Sequence, residues 1–292
     1  MKNSGTVGKK AGVGEMEKGH FSSAYSHPIS GSTRSTQTAW RKGEYFWSPV
    51  ASNNTVTAQW EKITVSSGGT TNTGNLFVPK TPETFQYDAD GNLTNDGHWA
   101  YTWDAENRLI SLTNNSGVGP ALKLNFAYDP KGRRIQKLVV SNGLALYTNR
   151  FLYDGWNLVS VLSPNSSLLS SFVWGSDLSG SLQGAGGVGG LLSSVLYSNS
   201  YLLATHFYAY DGNGNVAALV SASDGSVAGN YEYGPFGEVL RATYANPLVP
   251  QSFSGGGFRF STKYQDDESD LVYYGYRYYK ASMGTWLSRD PI

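Results

Sequence analysis

The amino-acid sequence predicts an all-β protein, built as an array of repeated β-hairpins. The composition is the first observation: 14% of the residues are aromatic, and glycine supplies 35 of the 292, above its usual share of roughly 7%. The second is a short motif that recurs along the chain: a strand ending in an aromatic residue, a polar turn, a Gly or Asn, and a second strand. Because small repeated units bury their apolar faces by stacking on their neighbours, these observations together predict a continuous array.

The repeating motif, here called the frame, is clearest from Tyr128 to Ile135. An Asp follows the aromatic residue in five of the six frames and can hydrogen-bond its own backbone two residues further on, while Gly or Asn four residues after the aromatic supplies the positive φ that closes a hairpin. The structural frame residues predicted in this way are Tyr87 and Gly91, Trp103 and Asn107, Tyr128 and Gly132, Tyr153 and Asn157, Tyr210 and Gly214, and Tyr233 and Gly237.

The chain divides into three predicted segments. Residues 1–42 are basic, rich in Gly, Ser and Thr and without periodicity, which predicts a disordered lead-in; a nucleic-acid-binding arm is disfavoured because the charges are scattered. Residues 43–205 form the hairpin array, in which alternation puts Trp99, Tyr101 and Trp103 on one strand face. Residues 206–292 form a third, denser segment.

The frame lapses between Trp156 and Thr205, where Gly184, Gly186 and Gly189 make a formal G-x-G-x-x-G. A dinucleotide site would need a preceding strand, a helix opening at the last glycine and an acidic residue about 20 positions on. A glycine-rich bend or bulge is the favoured interpretation.

The third segment contains a series of motifs that runs from Tyr208 to Ile292: Y-x-Y-D-x-x-G-N, Y-G-P-F-G-E, F-x-x-K-Y-x-D-x-E, L-x-Y-Y-x-Y-R-Y-Y and G-x-W-L-x-R-D-P. In these motifs the chain resembles the RHS/YD-repeat proteins and their RHS repeat-associated core segment. The resemblance implies a spirally wound antiparallel β-sheet that forms a hollow shell, as in polymorphic toxins and cell-surface proteins. It implies neighbouring shell segments and a C-terminal toxin effector as partners.

The resemblance also implies a self-cleaving apparatus in the toxin members, associated with the Arg and Asp of the first R-D-P. Carried over, those residues are Arg289 and Asp290. The second D-P-x-G of the family pattern is not found before Ile292, so the pair is expected to be incomplete as a protease here. Lys280 stands where the family commonly has Asp.

Several other chemistries are disfavoured. The net charge is +0 and there is no cysteine, so the sequence predicts no nucleic-acid partner, thiolate site or cofactor. No metal site is expected from His20, His27, His98 and His206, and no signal peptide, anchor or membrane span is predicted. The acids Asp266, Asp267, Glu268 and Asp270 are expected in a solvated loop.

The predicted function is a shell or encapsulation scaffold, secreted or on the cell surface as part of a larger polypeptide, and not an enzyme by itself. The alternative is a glycan- or receptor-binding module in which exposed tyrosines such as Tyr274 and Tyr276 stack on sugars, although tyrosines also pack well on strand faces. A truncated aspartate-type autoprotease is the weaker alternative.

Overall fold

The computed structural model describes residues 28–30, 37–43, 45–198, 201–244 and 257–290. Nearly all regular structure in these ranges is β-strand, and one short 3-10 turn occurs at Phe260–Thr262. The predicted all-β fold class is therefore confirmed.

The centre of the molecule is a sheet of fourteen strands that follow one another in sequence order, each antiparallel to the next. Such a meander arises because every connection joins neighbouring strands directly. Its strands are β7 (Gln86–Tyr87), β8 (Leu93–Asn95), β9 (Trp99–Trp103), β10 (Leu109–Asn114), β11 (Leu122–Tyr128), β12 (Arg134–Ser141), β13 (Leu144–Asp154), β14 (Asn157–Leu162), β15 (Leu168–Trp174), β16 (Leu191–Ser198), β17 (Tyr201–Tyr210), β18 (Val216–Ser221), β19 (Val227–Tyr233) and β20 (Val239–Tyr244).

The frame turns lie along one edge of this meander, here called the frame rim, because each connects an odd-numbered strand to the next even-numbered one. In the turn after β11, the Asp129 carboxylate accepts hydrogen bonds from the backbone N–H groups of Lys131 and Arg133, both at 2.9 Å, and φ of Gly132 is +79°. Positive φ occurs at the same frame position elsewhere: Gly91 (84°), Asn107 (58°), Gly214 (75°) and Gly237 (86°).

The turn after Tyr153 departs from the expected geometry. Asp154 pairs directly with Asn157, and the positive φ, 56°, belongs to Gly155. A two-residue hairpin loop needs positive φ at its first central residue, so Gly155 takes the role expected of Asn157.

The predicted lapse of the frame does not interrupt the sheet. β14 to β17 continue the meander, and Trp174 ends β15 as a frame aromatic would. A loop at residues 175–190 replaces the short turn, with the Asp177 carboxylate accepting hydrogen bonds from the N–H groups of Ser179, Ala185 and Gly187. This loop leads into a strand and not a helix, which agrees with the glycine-rich bend and removes the dinucleotide interpretation.

Smaller sheets flank the meander at both ends of the chain. The N-terminal sheet has the order β2-β1-β5-β6 and is accompanied by the β3-β4 hairpin. The strands of the sheet are β1 (Pro28–Ser30), β2 (Gln37–Thr38), β5 (Gln59–Ser67) and β6 (Thr70–Val78), and those of the hairpin are β3 (Trp40–Lys42) and β4 (Tyr45–Trp47). Parts of the predicted lead-in thus form strands, while residues 1–27 and 31–36 lie outside the described residues.

The C-terminal sheet, β21 (Tyr264–Asp266), β22 (Leu271–Tyr273), β23 (Tyr278–Lys280) and β24 (Thr285–Trp286), packs against the meander. Leu271, Tyr273 and Leu287 share one buried core with Leu112 and Leu124 of the meander. The predicted segment boundary at residue 206 falls within β17, and the meander runs through it without a break. The three-segment division itself stays a prediction.

Candidate functional site

The C-terminal segment, residues 257–290, lies along the frame rim. Thr262 Oγ1 donates a hydrogen bond to the Gly214 carbonyl at 2.7 Å, and the Leu93 N–H donates to the Leu287 carbonyl at 2.7 Å. At Gly237 the approach is so close that a Cβ would lie 2.5 Å from the Phe260 ring. That glycine therefore provides space for the segment as well as positive φ.

The segment is fastened to the meander by a buried ion cluster. Arg134 Nη1 and Nη2 lie 2.5 and 3.2 Å from the two carboxylate oxygens of Asp266. Lys137 Nζ lies 2.9 Å from Asp266 and 3.0 Å from Glu268. Arg134 and Asp266 are 1% and 0% exposed. Two cations of β12 thus meet two carboxylates of the C-terminal segment in a site closed to water.

Aromatic rings enclose the guanidinium of Arg134. Such rings attract a cation through their electron-rich faces, and the effect grows when water is excluded. The distances from the Arg134 Cζ atom to the ring centroids are 4.7 Å for Tyr273, 4.9 Å for Phe151, 5.0 Å for Phe126, 5.5 Å for Tyr264 and 5.8 Å for Tyr278.

The charges in this cluster stabilise one another. Burial alone would raise the pKa of Asp266, but the adjacent charges of Arg134 and Lys137 outweigh it, and the pKa is lowered. Burial would lower the pKa of Lys137, yet Asp266 and other neighbouring groups raise it. Burial raises the pKa of Tyr278 to about 12. At neutral pH the cluster therefore holds an ionised Asp266 and a protonated Lys137 beside a neutral Tyr278.

The cluster corrects the expectation for the acidic turn. Asp266 is not solvated but is the most deeply buried acid of the set, whereas Asp267 is exposed and lies 2.6 Å from Arg259. The expectation failed because the turn was considered without its partners. Strand alternation gave no signal for the cluster, because Arg134 and Lys137 are three positions apart and are both buried only because a β-bulge at Ile135 shifts the register.

A second buried ion pair joins Lys280 to Asp96. Lys280 Nζ donates to Asp96, which also accepts hydrogen bonds from the Tyr101 hydroxyl at 2.8 Å and the Trp99 N–H at 2.7 Å. Burial opposes ionisation of Asp96, but the charge of Lys280 and the hydrogen bonds from Lys280, Trp99 and Tyr101 together outweigh burial and lower the Asp96 pKa. Lys280, which departs from the pattern that the resemblance implies, is thus paired with Asp96 of the meander.

Arg289 and Asp290, the candidate catalytic pair, lie at the far end of the same segment, and both are exposed. The Arg289 side chain lies against Gly91, with no room for a Cβ at that glycine. The Asp290 carboxylate lies 3.3 Å from Arg277 Nη2 and is 75% exposed. The structure therefore places this pair outside the buried ion cluster.

The strand-end aromatics form a ladder of hydrogen bonds between repeats. Each side chain donates to a backbone carbonyl at the start of the even-numbered strand of the preceding repeat, at its first residue or, for Trp174, at its second. Each repeat is thereby tied to the one before it. The bonds are Trp103 to Leu93 (2.8 Å), Tyr128 to Leu109 (2.6 Å), Tyr153 to Arg134 (3.0 Å), Trp174 to Leu158 (2.8 Å), Tyr210 to Leu191, and Tyr233 to Val216 (2.8 Å).

The frame tyrosines differ in how far they are exposed. Tyr87 is 57% exposed, while Tyr128, Tyr153, Tyr210 and Tyr233 are partly buried.

Of the tyrosines considered for sugar stacking, Tyr274 is partly buried and makes an edge contact with Trp286. Tyr276 is 59% exposed and lies against Trp156. Glycan binding stays a prediction.

Within the described ranges no group of three or more His, Asp or Glu residues is arranged to hold a metal ion. No helix in those ranges is long and apolar enough to cross a membrane.

The comparison with protein families gives a match to the teneurin YD-shell model over residues 58–291. The match covers the meander and the C-terminal segment together. The chain belongs to the teneurin YD-shell family. The resemblance to YD-repeat proteins is thereby confirmed.

Curated relatives of this YD-shell chain include bacterial toxins. It is 29% identical over 250 residues to the tRNA3(Ser)-specific nuclease WapA of Bacillus spizizenii, which is 85% of this chain and 10% of that protein. It is 29% identical over 220 residues to the double-stranded DNA deaminase toxin A of Burkholderia cenocepacia, which is 71% of this chain and 15% of that protein. The chain thus spans only a small part of these relatives.

Among solved structures, the crystal structure of TcdB2-TccC3 matches this YD-shell chain with a TM-score of 0.53 at 20% identity. The match covers 88% of this chain and 12% of that one. At this identity the comparison shows a shared fold.

Proposed function

We propose that this chain is a structural segment of a YD shell that encloses or supports a toxin. The unbroken meander, with the C-terminal segment fastened along its frame rim by the buried Arg134–Asp266 ion cluster, is the observation that carries this proposal. Such an arrangement builds a continuous wall and uses its buried charges to hold the wall together.

The relatives support this assignment and its partners. Relatives are named as a tRNA-specific nuclease and a DNA deaminase toxin, and the chain matches 10% and 15% of their lengths. Because the YD-shell match covers residues 58–291, we assign the similarity to their shells and not to their toxic activities. Neighbouring shell segments and a C-terminal toxin are the proposed partners, in a secreted or cell-surface protein.

The edges of the meander provide the test. Among the described residues β20 pairs on one side only, with β19, and unpaired strand edges template association. We expect the average mass of the purified chain, measured by sedimentation velocity, to rise with concentration. A mass that stays that of a monomer over about a hundredfold range of concentration would contradict a shell segment that needs its neighbours.

We propose no catalytic activity for residues 1–292 alone. Arg289 and Asp290 are proposed as part of a self-cleaving apparatus when a D-P-x-G segment follows them. The test appends such a segment and follows cleavage on denaturing gels. Cleavage that is lost in Asp290→Asn supports the assignment, and equal cleavage in the variant would rule it out.

A further inference from the structure

A pocket of about 240 Å³ opens where the C-terminal segment meets the meander. The β13–β14 turn, the 175–190 loop and residues 258–276 form its walls. Its aromatic lining includes Trp156, Trp174, Phe258, Tyr274 and Tyr276. The pocket is smaller than the roughly 300–1,000 Å³ typical of sites for drug-sized ligands, so its occupant must be compact.

Lys263 is the cation that lines this pocket. Its Nζ donates to the Gly186 carbonyl and lies 5.6 Å from the centroid of the Tyr274 ring. Within the described ranges no carboxylate lies within ion-pair distance of Lys263, unlike Lys137 and Lys280. An ammonium group has three donors, so two are available to a ligand.

The position of Lys263 is fixed by its backbone. Its N–H donates to the Phe260 carbonyl at 3.0 Å, and its carbonyl accepts from the Arg259 N–H at 3.1 Å. Burial lowers the pKa of Lys263 to about 8, and the charge of Asp177 opposes this only in part. A ligand carboxylate would supply the missing opposite charge.

We propose that this pocket binds a compact ring carboxylate, with the ring against the aromatic walls and the carboxylate on the Lys263 ammonium. Aromatic faces favour a ring, the single amine favours one negative charge, and the volume limits the ligand to about one ring. A uronic acid sugar and an aromatic acid share this chemistry. The proposal is independent of the shell function.

Ligand-observed saturation-transfer NMR on the full chain tests the proposal, because it tolerates self-association. The probes are glucuronate and phenylacetate, and their neutral counterparts are glucose and phenylacetamide. We expect at least one acid to bind and its neutral counterpart to bind at least tenfold more weakly. Which acid binds identifies the source. No binding of either acid, or equal binding of acid and neutral counterpart, would overturn the proposal.

Variants locate the site. Lys263→Met should abolish acid binding, and Tyr276→Ala, at a side chain that is 59% exposed, should weaken it without affecting the fold. Lys131→Met, at an exposed turn outside the pocket, is the matched control and should bind as the unchanged chain does. Binding that survives Lys263→Met would place the ligand elsewhere and refute the assignment.

The pH dependence gives a second readout. Both acids stay ionised above pH 6, so the titrating group is the Lys263 ammonium, whose pKa is about 8. Since only the protonated amine attracts the carboxylate, affinity should fall about tenfold from pH 7 to pH 9. Affinity that is constant over this range would contradict a role for Lys263.

Discussion

Replacing Asp266 by Asn tests whether the buried ion cluster fastens the C-terminal segment. The substitution keeps the size of the side chain and removes the charge that faces both Arg134 and Lys137. Glu268 still lies 3.0 Å from Lys137, so that lysine keeps a partner. Arg134, which is 1% exposed, is left without its carboxylate.

The substitution lowers the free energy of unfolding because it leaves the buried charge of Arg134 without its carboxylate partner. Removing one partner of a buried ion pair typically costs about 3–5 kcal/mol, and the aromatic rings around Arg134 place this case near the lower end, about 3 kcal/mol. An unfolding entropy of about 2.1 cal/mol/K per residue over 292 residues converts this loss to a fall in melting temperature of roughly 5 °C. Because the cluster joins two parts of the molecule, the C-terminal segment should detach before the meander unfolds.

Thermal unfolding followed by near-ultraviolet circular dichroism measures the loss, and limited proteolysis shows where it occurs. Cleavage should increase first within residues 257–290. Asp290→Asn is the matched control, because it makes the same substitution in the same segment at an exposed ion pair, worth at most about 1 kcal/mol. If both variants melt at the same temperature, the ion cluster does not fasten the segment.

Three further predictions concern the ladder, the rim and pH. Tyr153→Phe removes the hydroxyl that donates to a strand carbonyl at 3.0 Å and should cost about 1 kcal/mol in urea unfolding. Gly91→Ala adds a Cβ at a φ of +84° and against a side chain of the C-terminal segment, so it should destabilise by about 1 kcal/mol or more. Acid should destabilise the fold, because Asp266 and Asp96 have lowered pKa values in the folded state. The stability that these two carboxylates contribute is complete above their unfolded pKa near 4 and is lost as the pH falls through the folded pKa. Melting temperatures measured over a series of pH values would show this loss.

Each of these has its own control. Tyr276→Phe alters a hydroxyl on an exposed side chain and should leave stability unchanged. Gly212→Ala adds a Cβ in open space and should be tolerated. If a test variant and its control lose the same amount of stability, the hydrogen bond or the close contact proposed for that position is not the cause. A melting temperature that stays constant from pH 5 to pH 2 would contradict the acid prediction.

The sequence predicted the repeated hairpins well because their determinants are local. Asp129 and Gly132 lie within one turn, and their roles need no distant partner. Trp174 was missed as a frame aromatic because a loop replaces the turn that marks the other frames. The Arg134–Asp266 pair spans 132 positions, and no local pattern specifies which base meets which acid.

The buried charges have a consequence for how the C-terminal segment finds its place. An apolar face could slide along the rim with little loss, because hydrophobic burial is non-directional. The Arg134–Asp266 and Lys280–Asp96 pairs tie two separate positions of the segment to two separate places on the meander, the start of β12 and the β8–β9 turn. Since side chains alternate between faces, a slip of one residue would turn Asp266 away from Arg134 and leave both charges buried without partners. The ion pairs therefore fix the register of the segment in addition to stabilising it.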